Sequence, residues 1–199
     1  MKILVIGSTG TIGSAIYNDL KKDYNTVYGA HRNSQSYSID LTKKESIQAL
    51  FKKLPKLDSI INAAGTAVWK PFSQLTEEDY YVGIQSKLMG QVNLVHLAQE
   101  YLNDKGSITL TTGILAEHYE PNAVGLSLIN GAIHSFVKSA SNELIRDIRL
   151  NVVAPGAIAG AFPEDKKFAG YLPVKIEDVV GIYRQILNNS STGGVYKIY

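Results

Sequence analysis

The feature that most restricts how this chain can fold is a regular alternation of short apolar runs with longer stretches at helical spacing. Six runs stand out: Lys2 to Ile6, Thr26 to Ala30, Ser59 to Asn62, Ser107 to Thr111, Arg149 to Ala154 and Gly194 to Ile198. Most are continuous Val, Ile and Leu rather than alternating apolar and polar, the mark of strands covered on both faces. Between them, Ile12, Ile16 and Leu20 fall on one helical stripe, and Ile176, Val179, Val180, Tyr183, Ile186 and Leu187 on another. Strands that alternate with helices in this way predict an α/β fold, a parallel sheet with helices on both faces. The length of 199 residues suits one such domain, spanning 1–199.

Two further helices carry more detail. The first opens at Thr76 with a cap followed by Glu77, Glu78 and Asp79, and places Tyr81, Ile84, Leu88, Val92 and Val95 on one face. The second runs from Val124 to Arg146. It fills two adjacent columns, Leu128, Ala132, Phe136, Ala140 and Leu144 beside Ile129, Ile133 and Val137. That stripe is wider than one sheet needs and predicts a homo-oligomer contact. Long Gly- and Pro-marked connections cover Ala63 to Leu75, Thr112 to Ala123 and Pro155 to Lys175. Loops of that length tend to be functional.

Composition closes several routes. With no Cys there is no disulfide frame, thiolate metal site or cysteine nucleophile. His31, His96, His118 and His134 show no metal-ligand spacing, so no metal is expected. The net charge of +2 is too small to predict nucleic-acid or membrane binding, and Lys43, Lys44, Lys52, Lys53 and Lys56 read as one solvated face. The opening apolar run ends at Gly7, short of a signal-peptide core or membrane span, which predicts a cytoplasmic protein.

The chemistry begins where the first strand meets Gly7, Ser8, Thr9, Gly10, Thr11, Ile12 and Gly13 before a helix. Glycines let the backbone take a positive φ and approach a pyrophosphate, and the helix start offers free N–H groups to that anion. Ser14 follows Gly13 where a Walker loop would have Lys, so the turn points to a dinucleotide rather than ATP hydrolysis. After the second strand come Arg32, Asn33 and Ser34, with no carboxylate to hold an NAD ribose. Arg there pairs with a 2′-phosphate through charge-assisted bonds of about 1.5 to 3 kcal/mol, which predicts NADP over NAD. Asp40, with Leu41 behind it, reads either as the partner of an adenine amino group or as a helix cap.

These features, with Asn62-Ala63-Ala64-Gly65 after the third strand and Asn151-Val152-Val153-Ala154-Pro155-Gly156 after the fifth, resemble the short-chain dehydrogenase/reductase superfamily over nearly the whole chain. The resemblance implies a doubly wound, Rossmann-like sheet in the order 3-2-1-4-5-6. It also implies Ala63, Ala64 and Gly65 along the adenosine ribose, and Pro155, Gly156 and Ile158 beside the nicotinamide. It breaks at the proton-transfer end. The family's Tyr-x-x-x-Lys falls on Leu126 and Asn130, anchored by Asn130-Gly131-Ala132-Ile133, its serine on Gly113 or Thr112, and its helical asparagine on Lys87. Gly10 also stands three residues after Gly7, where most members space these glycines by four.

Carbonyl reduction needs a hydride, which the coenzyme brings, and an acid near the forming alkoxide. The candidates left are Lys87 reaching toward Asn130 from the opposite wall, His118 and Tyr119 in the loop after strand four, and Thr112 to position a substrate oxygen. Trp69 reads as a cleft wall or a packed loop anchor. The resemblance makes Pro155 to Lys175 a substrate lid, and its Gly, Ala and Pro content predicts an open, shallow cleft. The residues therefore point to an NADP(H)-dependent oxidoreductase for a small carbonyl or alcohol with a non-standard acid. The alternatives are a catalytically silent NADP(H) sensor and an oligomeric scaffold.

Overall fold

A computed structural model of the chain describes residues 1–161 and 171–199. The central sheet is built from β1 (Lys2–Ile6), β2 (Thr26–Ala30), β3 (Leu57–Asn62), β4 (Leu102–Thr111), β5 (Arg149–Pro155) and β6 (Val195–Ile198). All five pairings between neighbouring strands are parallel. In β1 successive side chains enter opposite layers. Leu4 and Ile6 join one buried cluster, and Ile3 and Val5 the other. The first cluster packs under α2 (Lys44–Lys52), α4 (Gly90–Tyr101) and α5 (Val124–Ala140), and the second under α1 (Thr11–Leu20) and α6 (Ile176–Asn188). This explains why the inner strands read as mostly apolar runs, with both faces covered, whereas the edge strands β2 and β6 are only partly buried. The α/β sheet with helices on both faces is as the sequence predicts.

Strand order differs from the expected 3-2-1-4-5-6. The sheet runs β2-β1-β3-β4-β5-β6, so only one strand lies beyond β1 before the order reverses. The segment after β2, which would have to supply another edge strand, is too short: it makes a single bridge, His31 to Ser38, and then enters α2. The reversal point still lies between β1 and β3, and the crevice at their carboxyl ends is where a doubly wound sheet binds ligands.

Three element boundaries also move. β4 begins at Leu102, five residues before the apolar run that marks it. The helix drawn from Val124 to Arg146 stops at Ala140, and Arg146 and Asp147 take positive φ in the turn into β5. Its Ile129, Ile133 and Val137 column is core, while Leu128 stays half exposed. The helix opening at Thr76 is α3 (Glu77–Gly83) with the expected capping box between Thr76 and Asp79, but Ile84–Met89 then form a π turn before α4. The wider turn rotates the buried face. Gly83, Ser86, Gly90, Gln91 and Leu94 face inward with Val95, while Tyr81 of the expected stripe is exposed. Residues 162–170 of the expected lid lie outside the described residues.

Candidate active site

The turn between β1 and α1 needs its glycines. Gly7 has φ +83°, and a Cβ there would meet the Ala63 backbone at 2.9 Å. Gly13 is tighter, with a hypothetical Cβ only 2.1 Å from the Gly7 carbonyl oxygen. The Gly7 N–H donates to Ala30 O at 2.8 Å and the Gly10 N–H to Gly7 O at 3.0 Å, closing the turn beneath the helix start. No side chain caps α1 and its first turn holds no acid, whereas α2, α3 and α6 each carry acids there. The positive end of α1, at Thr11, Ile12 and Gly13, is therefore not neutralised by its own side chains. Ser8 packs inward, its hydroxyl 3.4 Å from Ala30 O.

On one side of this turn a cavity of about 220 Å³ is lined by Gly7, Thr9, Arg32, Leu41, Ala64 and Gly65, among others. Arg32 is exposed at its rim and lies 3.7 Å from Asp40, beside the exposed Asn33. Ser34 turns back, accepting the Tyr37 N–H at 3.0 Å. Asp40 Oδ1 accepts the Thr42 hydroxyl at 2.7 Å and the Thr42 N–H at 3.0 Å, and these bonds hold its carboxyl below the usual range. These bonds close a turn ahead of α2 rather than cap the helix, whose N-cap is Lys43 with no side-chain bond. Asn62 lies deeper than the crevice. Fully buried, it donates to Ala64 O at 2.9 Å and to Gln91 at 3.2 Å, and so shapes the Ala63 to Gly65 loop from behind.

On the other side a cleft of about 350 Å³ is walled by Lys87, Thr112, Leu126, Asn130, Pro155 and Trp69, with Gly156 and Ile158 also on its surface. Lys87 comes from the π turn, whose shape Gln91 supports by donating to the Lys87 carbonyl at 3.1 Å. The Lys87 stem packs against Gly65, where a Cβ would stand 3.0 Å from Lys87 Cγ. Burial pushes its ammonium down to about 8. Asn130 is buried, and its Oδ1 has no hydrogen-bond partner among the described residues. Leu126 packs against an apolar cluster of Ile114, Leu115, Ala123 and Ala157, so it presents a greasy wall to the cleft.

Thr112 has a partner that sequence reasoning missed. Its Oγ1 lies 2.8 Å from His134 Nε2, and His134 Nδ1 lies 4.0 Å from Glu117 Oε1. His134 is buried, and desolvation, opposed by Glu117, lowers its pKa. Glu117 is exposed and held by Lys197 and by the Tyr199 hydroxyl at 3.1 Å. The available signal was spacing, since His134 follows Asn130 by one helical turn on α5. Tyr119 is not brought to this cleft: it is 86% exposed. His118 instead bonds Tyr171 and packs edge-on against Tyr171 and Tyr199.

This geometry meets a clear set of relatives. The family described as enoyl-(acyl carrier protein) reductase matches residues 12–172. The chain belongs to the short-chain dehydrogenase/reductase superfamily. A tropinone reductase homolog from Datura stramonium is 30% identical, over 79% of this chain and 68% of that protein. The chain spans about half the length of other curated relatives it matches, 46% and 57% in two cases. Among solved structures, the protein lin1944 from Listeria innocua is 40% identical with a TM-score of 0.96 over the full length of both chains. A small-chain dehydrogenase solved in complex with NADPH shares the fold, with a TM-score of 0.87 at 24% identity over 100% of this chain and 96% of that one. Among the described residues no group of side chains is arranged to hold a metal, and no helix is long and apolar enough to cross a membrane.

Proposed function

We propose that this superfamily member is a cytoplasmic NADP(H)-dependent oxidoreductase that interconverts a small carbonyl compound and its alcohol, using a proton-transfer site without the family's Tyr and Lys. The observation that carries the reading is Asn130. Its buried Oδ1 is unpartnered among the described residues, on a residue lining the same cleft as Lys87 and Thr112. An unsatisfied buried acceptor costs about 1 to 3 kcal/mol, and a ribose hydroxyl donor would relieve it. The glycine turn fits the same group, because the space a Cβ would fill at Gly7 and Gly13 is already closed by backbone, leaving the amide face to the pyrophosphate.

Bound NADP(H) supplies the hydride. The protein's part is to hold it and to handle the proton. Gly7, Ser8, Thr9, Gly10, Thr11, Ile12 and Gly13 cradle the pyrophosphate. Arg32, flanked by Asn33 and Ser34, selects the 2′-phosphate, while Asp40 and Leu41 border the adenine. Ala63, Ala64 and Gly65 follow the ribose, with Asn62 fixing their loop, and Pro155, Gly156 and Ile158 wall the nicotinamide side. Lys87 and Asn130 replace the family's lysine as ribose contacts from opposite walls, and Thr112 binds the substrate oxygen. Tyr119, at the surface, is left without a part in this scheme. Self-association is assigned to the groove of about 300 Å³ between α4 and α5, lined by Val95, His96, Phe136 and Ala140.

The second reading, a silent NADP(H) sensor, is favoured by the packing of Leu126 in an apolar cluster, which removes the family's acid. Thermal melts test the shared part. NADPH at about a hundred times its dissociation constant adds about 2.7 kcal/mol, and NADH at the same concentration adds less. No shift with either coenzyme overturns both readings. An aldehyde, ketone and quinone screen with NADPH separates them, since turnover by the wild type excludes the sensor.

A further inference from the structure

Thr112, His134 and Glu117 form a path from the cleft to the outside. Thr112 lines the cleft, His134 stands behind it out of the cleft, and Glu117 is exposed at the surface. The hydroxyl and ring nitrogen are at hydrogen-bond distance, 2.8 Å. The 4.0 Å from His134 Nδ1 to Glu117 is an electrostatic contact, able to stabilise an imidazolium. Lys197 and the Tyr199 hydroxyl, both from the end of the chain, hold the carboxylate in place. The order hydroxyl, imidazole, carboxylate is the logic of a base-activated nucleophile, applied here to a hydroxyl that lines a cleft.

We propose that Thr112, His134 and Glu117 are the proton relay of this site, working as a base that removes the substrate hydroxyl proton in alcohol oxidation. The proposal rests on the oxidoreductase reading above and names the group that stands in for the missing tyrosine. The step is a double proton transfer. The substrate O–H bond breaks as its proton moves to Thr112 Oγ1, and the Thr112 O–H bond breaks as its own proton moves to His134 Nε2. The products are a substrate alkoxide and an imidazolium facing Glu117. Thr112 touches the substrate and His134 takes the relayed proton, while Glu117 is a positioning residue that acts through the ring.

The direction follows from the surroundings of the ring. Burial disfavours the imidazolium, and Lys138 on its own helix, Lys197 on β6 and Lys87 on the π turn disfavour it further. Among the described residues, Glu117 alone favours it. His134 is therefore held toward its neutral form, its base form fills at lower pH than in a free histidine, and the relay requires the tautomer whose Nε2 accepts from Thr112.

Three measurements on the full chain test this. NADPH fluorescence reads coenzyme binding alone. Nitrogen-15 NMR of the histidine rings reads the His134 tautomer and titration, in the wild type and in Glu117→Gln. The pH profile of kcat for alcohol oxidation reads the relay. Expected are a neutral ring with its proton on Nδ1, a titration that moves to lower pH in Glu117→Gln, and a kcat limb that rises through the His134 titration. His134→Gln should lose about a hundredfold in kcat and lose the limb, with KM and NADPH affinity within about threefold of wild type. Thr112→Ser keeps the limb and Thr112→Val loses it, a contrast that a purely structural hydroxyl would not give. Normal NADPH binding with a limb that survives His134→Gln, or with the neutral ring proton on Nε2, overturns the relay alone. Failure of NADPH to bind, or of every alcohol to turn over, overturns the underlying reading and the catalytic role of the relay with it.

Discussion

Gly13 sits so close to Gly7 that a Cβ on it would stand 2.1 Å from the Gly7 carbonyl oxygen, inside any permissible contact. Gly10, between them, is different: a Cβ there would be 3.5 Å from the same oxygen, and its φ of −79° suits any residue. Gly13→Ala should therefore force the helix start away from the turn, costing about 1 to 3 kcal/mol. For a chain of this size that is a fall in Tm of about 2 to 12 °C. NADPH affinity should drop with it, while Gly10→Ala changes Tm little. Thermal melts and fluorescence titration of both variants check the contrast. Equal behaviour would mean that the turn is not the anion cradle.

Arg32 is exposed and shares its charge with Asp40 at 3.7 Å, so its discrimination operates at the surface rather than in a dry pocket. Arg32→Gln should weaken NADP(H) binding about tenfold to a hundredfold and leave NAD(H) nearly unchanged. The wild-type preference should also shrink as salt is raised, since exposed charges are screened. Titrating both coenzymes at two ionic strengths decides the matter. A preference indifferent to both changes would place the selection elsewhere.

What was readable in the sequence follows from where each signal resides. β1 coincides with its apolar run because side chains buried on both faces define it, and the partly buried edge strand β2 keeps its bounds as well. The π turn at Ile84–Met89 did not show, because it is a shift of main-chain hydrogen bonds: the Gly90 N–H reaches Gln85 O, and no side-chain period encodes that. The missing edge strand left only a short connection as its trace. At the site, the glycine turn was visible because backbone approach demands a residue type. Glu117 was not, since its meeting with His134 joins a loop to a helix across the fold. Asn62 belonged to the recognised motif, yet its buried bonds to Ala64 and Gln91 give it a scaffold role that spacing cannot distinguish from a ligand contact.

The α4 and α5 groove gives a test of assembly. Phe136 is partly buried at the edge of the main core and lines the groove with Val95 and Ala140. A charge placed there meets no partner in an apolar contact between copies. Phe136→Glu should convert an oligomer into a monomer in sedimentation velocity, with far-UV circular dichroism unchanged. A wild type that is already monomeric removes the proposal.

Lys87 gives the sharpest pH dependence outside the relay. Lys87 is partly buried, and desolvation pushes its ammonium down to about 8, against about 10.4 in an unfolded chain. A lowered lysine pKa means that the folded state binds its proton more weakly than the unfolded state does. The burden on stability is therefore full below about 8 and fades as pH rises toward the unfolded value. Lys87→Met keeps the stem against Gly65 without the charge, so it should raise the Tm of the coenzyme-free protein at pH 7, with the gain shrinking above pH 8. Coenzyme binding should respond the opposite way. If the ammonium contacts the ribose, wild-type NADPH affinity falls as pH rises through about 8, and Lys87→Met binds more weakly at pH 7 with no such fall. Melts and fluorescence titrations from pH 6.5 to about 9.5 read both trends. A Lys87→Met protein that is more stable yet binds NADPH like the wild type at every pH would leave Asn130 as the one remaining proposed ribose contact of the pair.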